Sequence, residues 1–168
     1  MFTSAKKNQY FPVDLAGGFG ITTSTDEHLE GHPPSLAFSR RPLAWRPTSQ
    51  KVGEWIAIVL ENNPRMAIAC VLYPSALTRG GERAYISAFK LSYTTSIDFY
   101  ASDDWRFFIN PLTESEIFPG LQSEEANALL TRLQPTVLRH VKLEPLAFVV
   151  ALAVRWSMVF CYRTYVYI

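Results

Sequence analysis

The sequence predicts an all-β protein, folded as an antiparallel β-sandwich or jelly roll. Two observations indicate this fold: short apolar runs rich in β-branched and aromatic residues recur along the chain, and clusters of Gly, Pro, Asn and Asp separate them. Of the 168 residues, 48% are hydrophobic and 14% aromatic, which excludes a disordered chain and allows a core without a metal or disulfide. The length fits one domain, so we expect two packed sheets in a single domain spanning residues 1–168.

Four apolar runs predict strands, at residues 55–60, 66–72, 85–93 and 105–109. Residues 55–60 are apolar on both alternating faces, which is typical of a fully buried strand. Turn residues at 61–64 follow at once, so we expect the first two strands to form a hairpin. A polar loop at residues 74–83, which contains Gly80 and Gly81, precedes the third strand.

The C-terminal third of the chain has the clearest periodicity. Large apolar residues occupy every second position from 148 to 160, which predicts one long strand. A helix over residues 146–154 is the competing interpretation because Ala and Leu are good helix formers, but Trp156 favours the strand. Residues 123–133 are predicted to form a helix, with Ser123 as its N-terminal cap.

The net charge and the distribution of apolar residues argue against several classes of protein. A net charge of +1 argues against a nucleic-acid-binding protein that works through bulk positive charge. The longest uncharged apolar run, residues 145–154, is too short for a transmembrane helix, and the N-terminus does not resemble a signal peptide.

One segment is strongly acidic: seven acids lie between residues 98 and 125, against one base, Arg106. We expect a solvated acidic loop there, with a carboxylate pair or a Ca²⁺ site as the alternative.

Five stretches form an ordered set of motifs. They are Leu-Ala-Trp-Arg-Pro at residues 43–47 followed by Gly-Glu-Trp-Ile at 53–56, Tyr-Ile-Ser-Ala-Phe-Lys-Leu-Ser-Tyr at 85–93, Phe-Pro-Gly at 118–120, Val-Leu-Arg-His-Val-Lys-Leu-Glu-Pro at 137–145, and Ala-Val-Arg-Trp at 153–156 with Cys161. Together they resemble discoidin domains, also called coagulation factor V/VIII C-type domains. The resemblance covers about residues 12–161 and leaves a short tail at 162–168.

This resemblance implies a galactose-binding-like jelly roll of about eight antiparallel strands, with three loops projecting from one end. In discoidin domains those loops bind phospholipid headgroups, glycans, collagen or partner proteins, and the domain is a cofactor-free binding module. The family's usual disulfide joins a cysteine near the start to the position of Cys161, and it cannot form here because no cysteine precedes Cys70. We expect both cysteines to be buried free thiols, although pairing between them stays open.

The first of these loops would be residues 25–34, which carry the candidate ligand residues His28 and Leu29 among acids that would repel anionic headgroups. His28 and His32 have the spacing of a helical zinc pair. The Gly and Pro residues around them disfavour the helix that this geometry needs. We therefore expect solvated loop histidines and no metal site.

The second loop, residues 46–53, would carry a basic cluster beside Trp45. Its members are Arg46 and Lys51, with Arg40 and Arg41 just upstream. Such a cluster suits the capture of an anionic group through charge-assisted hydrogen bonds. A solvated rim around a core tryptophan is the alternative.

The third loop, residues 75–84, carries the candidates Leu77, Thr78, Arg79 and Arg83. An apolar tip flanked by bases suits an interfacial contact, with Leu77 buried and the two arginines on phosphates. An ordinary hairpin is the alternative.

Taken together, these residues predict a non-catalytic binding or adhesion module of an extracellular or cell-surface protein. We expect a protein or glycan ligand, with an anionic phospholipid surface as a further candidate. An intracellular jelly-roll module of a multi-subunit assembly is the alternative, since the disulfide is absent. An enzyme is the third interpretation, and it requires a pocket lined by at least two carboxylates of the acidic loop.

Overall fold

The computed structural model describes residues 10–12, 19–38, 42–61, 63–100 and 102–161. These ranges contain antiparallel strands in two sheets, together with two short 3₁₀ helices at Pro34–Phe38 and Ser102–Asp104. The strands are β1 (Tyr10–Pro12), β2 (Phe19–Thr23), β3 (Ile56–Leu60), β4 (Arg65–Leu72), β5 (Ala76–Leu77), β6 (Arg83–Thr94), β7 (Arg106–Phe107), β8 (Ile117–Pro119), β9 (Leu129–Leu138), β10 (His140–Val149) and β11 (Trp156–Cys161). This architecture confirms the predicted all-β sandwich. Neither helix in these ranges has the length and apolar character needed to cross a membrane.

The smaller sheet has the strand order β1–β11–β4–β9, and the larger sheet has the order β2–β3–β10–β6–β5. Strands β7 and β8 also pair with β6, so three short strands follow one another along a single edge of that 12-residue strand. These short pairs raise the strand count above the eight that the resemblance implies. Their shortness protects the edge of the sheet, because a long bare edge would invite pairing with other chains.

The hydrophobic core lies between the inner faces of the two sheets. The largest fully buried side chains in it are those of Trp45, Trp156, Phe89, Phe118 and Phe160, and each of these residues is at most 1% exposed. The prediction of a fully buried strand in residues 55–60 is confirmed in part: three consecutive residues of β3 have no exposed surface, whereas Trp55 and Val59 are partly exposed.

The predicted hairpin between β3 and β4 is wrong. β3 lies between β2 and β10 in the larger sheet, whereas β4 lies between β11 and β9 in the smaller one. Pro64, which directly precedes β4, has no N–H to donate to a strand ladder. Between β3 and β4 the chain therefore passes from one sheet to the other instead of folding back on itself.

The single long strand predicted for residues 148–160 is also interrupted. β10 ends at Val149, and Val150 has a φ of 67°, which breaks the extended conformation. The chain then crosses to the smaller sheet and starts β11 at Trp156. The apolar alternation continues through the crossing because Leu152 and Val154 are themselves buried in the core.

The predicted helix at residues 123–133 does not form. One turn hydrogen bond links the N–H of Ala126 to the carbonyl of Ser123, and β9 begins at Leu129. β9 pairs with β4 along most of its length. Helix propensities differ by only tenths of a kcal/mol per residue, so pairing and burial of a strand face override them.

Candidate functional site

The three predicted loops lie together at one end of the sandwich. The first and second are joined by backbone hydrogen bonds: the N–H of Leu29 donates to the carbonyl of Arg46 at 2.9 Å, and that of Thr48 to the carbonyl of Glu27 at 3.3 Å. The third is tied in by the N–H of Leu77, which donates to the carbonyl of Pro42 at 3.0 Å. The loops therefore form one surface.

Trp45 fixes this surface to the core. Its side chain has no exposed area, which confirms the core role expected for it. Its backbone pairs with Val154 through two hydrogen bonds of 3.2 and 2.9 Å. The segment around Trp45 supports both the first and the third loop, because the carbonyl of Arg46 accepts a hydrogen bond from Leu29 and that of Pro42 accepts one from Leu77.

An open cleft of about 380 Å³ lies between the first and third loops. Its lining residues are Glu30, Gly31, His32, Leu43, Leu77, Thr78 and Arg79. Leu43 and Leu77 are 37% and 39% exposed, so the cleft presents apolar surface to solvent. Glu30 and Arg79 are exposed as well and place opposite charges on its two sides.

The third loop is a tight hairpin that presents Leu77 and Arg79. The N–H of Thr78 donates to the carbonyl of Glu82 at 2.8 Å, and the N–H of Gly81 donates back to the carbonyl of Thr78 at 3.0 Å. The hydroxyl oxygen of Thr78 accepts the N–H of Glu82 at 3.2 Å. Gly81 has a φ of 81°, which glycine adopts without strain.

His32 differs from the expectation of a solvated loop histidine, and for this residue that prediction is wrong. It is 8% exposed, and its Nδ1 lies 3.0 Å from the carbonyl oxygen of Ala44. Its backbone carbonyl also accepts the N–H of Arg46 at 3.3 Å. His28, by contrast, is exposed as expected.

Five of the eight candidate ligand residues lie outside the lining of the cleft. They are His28, Leu29, Arg46, Lys51 and Arg83. Arg46 is half-buried, and its Nε is sealed from solvent without a hydrogen-bond partner. Lys51 is exposed, and Arg83 reaches the hydroxyl of Ser75 at 3.5 Å. Arg40 and Arg41, the other members of the basic cluster, lie outside the described residues.

The acidic loop does not contribute to this cleft. Asp98, Asp103, Asp104 and Glu114 are exposed, and Glu116 forms an ion pair with Lys90 at 3.2 Å. Across the described ranges, no group of three or more His, Cys, Asp or Glu side chains could hold a metal ion. The cleft thus lacks the carboxylate pair that the enzyme interpretation requires.

At the level of sequence, no protein-family model and no curated protein matches the chain. Solved structures do match. Discoidin II from Dictyostelium discoideum superposes with a TM-score of 0.69 at 12% identity, over 92% of this chain and 59% of that one. An F5/8 type C domain from Bacteroides fragilis gives a TM-score of 0.60 at 10% identity, over 90% of this chain and 97% of that one.

A third similar structure is a CBM32 module from Clostridium perfringens, solved in complex with GalNAc-β-1,3-galactose. Its TM-score is 0.58 at 14% identity, over 86% of this chain and 96% of that one. The chain spans about 60% of the length of the discoidin II chains it matches. At these identities the likeness establishes the fold: the chain is a discoidin-like β-sandwich, as its sequence motifs predict.

Proposed function

We propose that this chain is a non-catalytic binding module of an extracellular or cell-surface protein, and that it holds a glycan in the cleft between its first and third loops. The observation that carries this proposal is the convergence of the loops on a cleft lined by both leucine and charged side chains. The solved CBM32 module with a bound disaccharide has the same fold, which supports a glycan as the ligand class.

The lining of the cleft suits the two kinds of surface that a sugar ring presents. Leu43 and Leu77 offer apolar surface to the C–H face of a ring. The carboxylate of Glu30 can accept hydrogen bonds from ring hydroxyls, and the guanidinium of Arg79 can donate to them. A volume of about 380 Å³ lies within the usual range for small-molecule sites, about 300–1,000 Å³.

A glycan array probed with the whole chain tests this proposal, followed by calorimetric titration with GalNAc-β-1,3-galactose and with galactose. We expect selective retention on glycans that Leu77→Asp abolishes, because a carboxylate would replace apolar surface in the cleft. Lys51→Ala is the matched control, since Lys51 is exposed on the second loop outside the cleft. An array without any signal would overturn the glycan proposal.

An anionic phospholipid surface is the second candidate, because the third loop exposes Leu77 next to Arg79 and Arg83. One leucine contributes about 1.5–3 kcal/mol when fully buried, so binding through this loop alone would be weak. Asp26, Glu27 and Glu30 on the neighbouring loop are exposed acids that oppose anionic headgroups. Co-sedimentation with phosphatidylserine vesicles at low and physiological salt separates the two candidates, and we expect little binding at physiological salt.

A further inference from the structure

The two ring nitrogens of His32 have different roles. Nδ1 lies 3.0 Å from the carbonyl oxygen of Ala44, and a carbonyl can only accept a hydrogen bond. The ring proton of neutral His32 is therefore on Nδ1. Nε2 is left as an unprotonated nitrogen, which is a hydrogen-bond acceptor.

This acceptor belongs to the cleft. His32 lines it together with Glu30 and Arg79. Nε2 of His32 makes no hydrogen bond to any described residue. Some other unpaired nitrogens of the described residues, such as Nδ1 of His140, are sealed from solvent, but Nε2 of His32 is not. It is thus open to a ligand.

Hydrogen bonds hold both the backbone and the ring of His32. The N–H of His32 donates to the carbonyl of Leu29 at 2.9 Å, and its carbonyl accepts the N–H of Arg46 at 3.3 Å. With Nδ1 bound to Ala44, three hydrogen bonds fix the residue. A fixed acceptor discriminates between ligands more sharply than a mobile side chain does, because the ligand group must meet it at one position.

We infer that Nε2 of His32 selects a hydroxyl-bearing neutral sugar at neutral pH, and that protonation of this nitrogen shifts the preference of the cleft toward acidic sugars. The inference rests on the proposed function. An unprotonated nitrogen accepts a hydrogen bond from a hydroxyl but offers nothing to a carboxylate or a sulfate. Once protonated, it donates to those anions and no longer accepts.

The other charged groups around the ring do not change their charge in the same pH range. The cleft holds Glu30 and Arg79, and the second loop places Arg46 beside the backbone of His32. Carboxylate and guanidinium side chains ordinarily keep their charge between pH 7.5 and 5.5, whereas imidazole is the side chain that changes charge there. Within the cleft, the change in hydrogen bonding thus comes from His32.

The test compares galactose with galacturonate, by calorimetric titration of the whole chain at pH 7.5 and 5.5. We expect the affinity ratio of galacturonate to galactose to rise about tenfold on acidification, the effect of one charge-assisted hydrogen bond. His32→Gln should remove the shift because an amide presents a donor and an acceptor at every pH. His28→Gln should keep it, since His28 is an exposed histidine outside the cleft. A ratio that does not change with pH in the native chain would overturn the inference.

A ligand-free measurement separates this inference from the proposed function. Nitrogen-15 spectra of the imidazole rings report which nitrogen carries the proton. We expect Nδ1 to be protonated and Nε2 unprotonated in His32 at pH 7.5. If the spectra show the opposite tautomer, the inference falls even where glycans bind. If the tautomer is as expected but neither sugar binds at either pH, this inference about ligand choice falls, whereas the proposed glycan function falls only if the glycan array is also without signal.

Discussion

Nζ of Lys142 lies 4.0 Å from the centroid of the Trp105 ring and 5.0 Å from the centroid of the Trp55 ring. Lys142 projects from the outer face of β10, since its neighbours Val141 and Leu143 are fully buried on the inner face. Burial lowers the pKa of Lys142, and the negative charge of Glu144 acts in the opposite direction. The ammonium group therefore lies close to two indole rings on the outer face of the larger sheet, away from the core.

Two substitutions of Lys142 distinguish what its side-chain packing contributes to the free energy of unfolding from what its charge contributes. Because its pKa is lowered in the folded state, the folded chain holds the proton less well than the unfolded chain, and the charge costs stability at neutral pH. Lys142→Met keeps contact with both rings without a charge, so its free energy of unfolding at pH 7 should equal or exceed that of the native chain. Lys142→Ala loses those contacts and should be less stable by about 1 kcal/mol.

Urea denaturation of the three chains at pH 7 and pH 10 checks this prediction. The native chain should gain stability relative to Lys142→Met as the pH rises toward the ordinary pKa of lysine, where the cost of the charge disappears. If Lys142→Met were the least stable of the three, attraction between the ammonium group and the rings would outweigh the cost of its burial.

Gly120, in the Phe-Pro-Gly motif after β8, has no space for a side chain. A Cβ there would collide with the carbonyl oxygen of Ile86, because the backbone of Gly120 lies against β6 and its N–H donates to the carbonyl of Ser87 at 2.9 Å. Gly120→Ala should lower the free energy of unfolding by about 1–3 kcal/mol or more, since either the β6 contact or the turn must shift. Gly80→Ala is the control, because its Cβ would meet nothing closer than 3.8 Å. Equal thermal midpoints for the two variants would contradict the prediction.

Local apolar runs were sufficient to predict β3, β4 and β6, because a strand that packs against the core needs apolar residues close together in the sequence. It could not predict which sheet each strand joins. The separation of β3 from β4 and the break after β10 depend on how the chain crosses between the sheets. A φ of 67° at Val150, a β-branched residue, has no signal in the sequence, because such residues disfavour that conformation.

The sequence could suggest the candidate site only to the level of loops. The resemblance implied three loops at one end of the sandwich, and two of the residues named in the third loop, Leu77 and Arg79, line the cleft. His32 was missed because its burial depends on hydrogen bonds to residues 44 and 46, more than ten positions away. Charge alone grouped Arg46 with Lys51, but the structure buries part of Arg46 and exposes Lys51.

Arg79 is expected to contribute to glycan binding without contributing to stability. Its side chain is exposed and lines the cleft, so Arg79→Ala removes a donor from the site and leaves the core intact. We expect affinity for a retained glycan to fall about tenfold, the effect of one hydrogen bond to a charged group, with an unchanged thermal midpoint. Affinity and thermal midpoint should be compared with those of Arg46→Ala, because Arg46 is half-buried and lies outside the cleft. An Arg79→Ala variant with native affinity would remove this residue from the site.

The two cysteines should differ sharply in reactivity. Cys70 has no exposed surface and faces Met158 across the β4–β11 pair, whereas Cys161 is partly exposed and faces Met66. Both are free thiols. Burial raises the pKa of the Cys70 thiol, and the thiolate is the form that reacts with alkylating agents.

Iodoacetamide at pH 8 should therefore label Cys161 in the native chain and spare Cys70, while both react in denaturant. Mass spectrometry of the digested protein locates the label. Cys161→Ser should leave the native chain unlabelled, which ties the reaction to that residue. Since burial disfavours the thiolate of Cys70 and shields it from the reagent, its labelling rate should report the opening of the core. Equal labelling of both cysteines under native conditions would mean that the β4–β11 pair is far less protected than its complete burial at Cys70 implies.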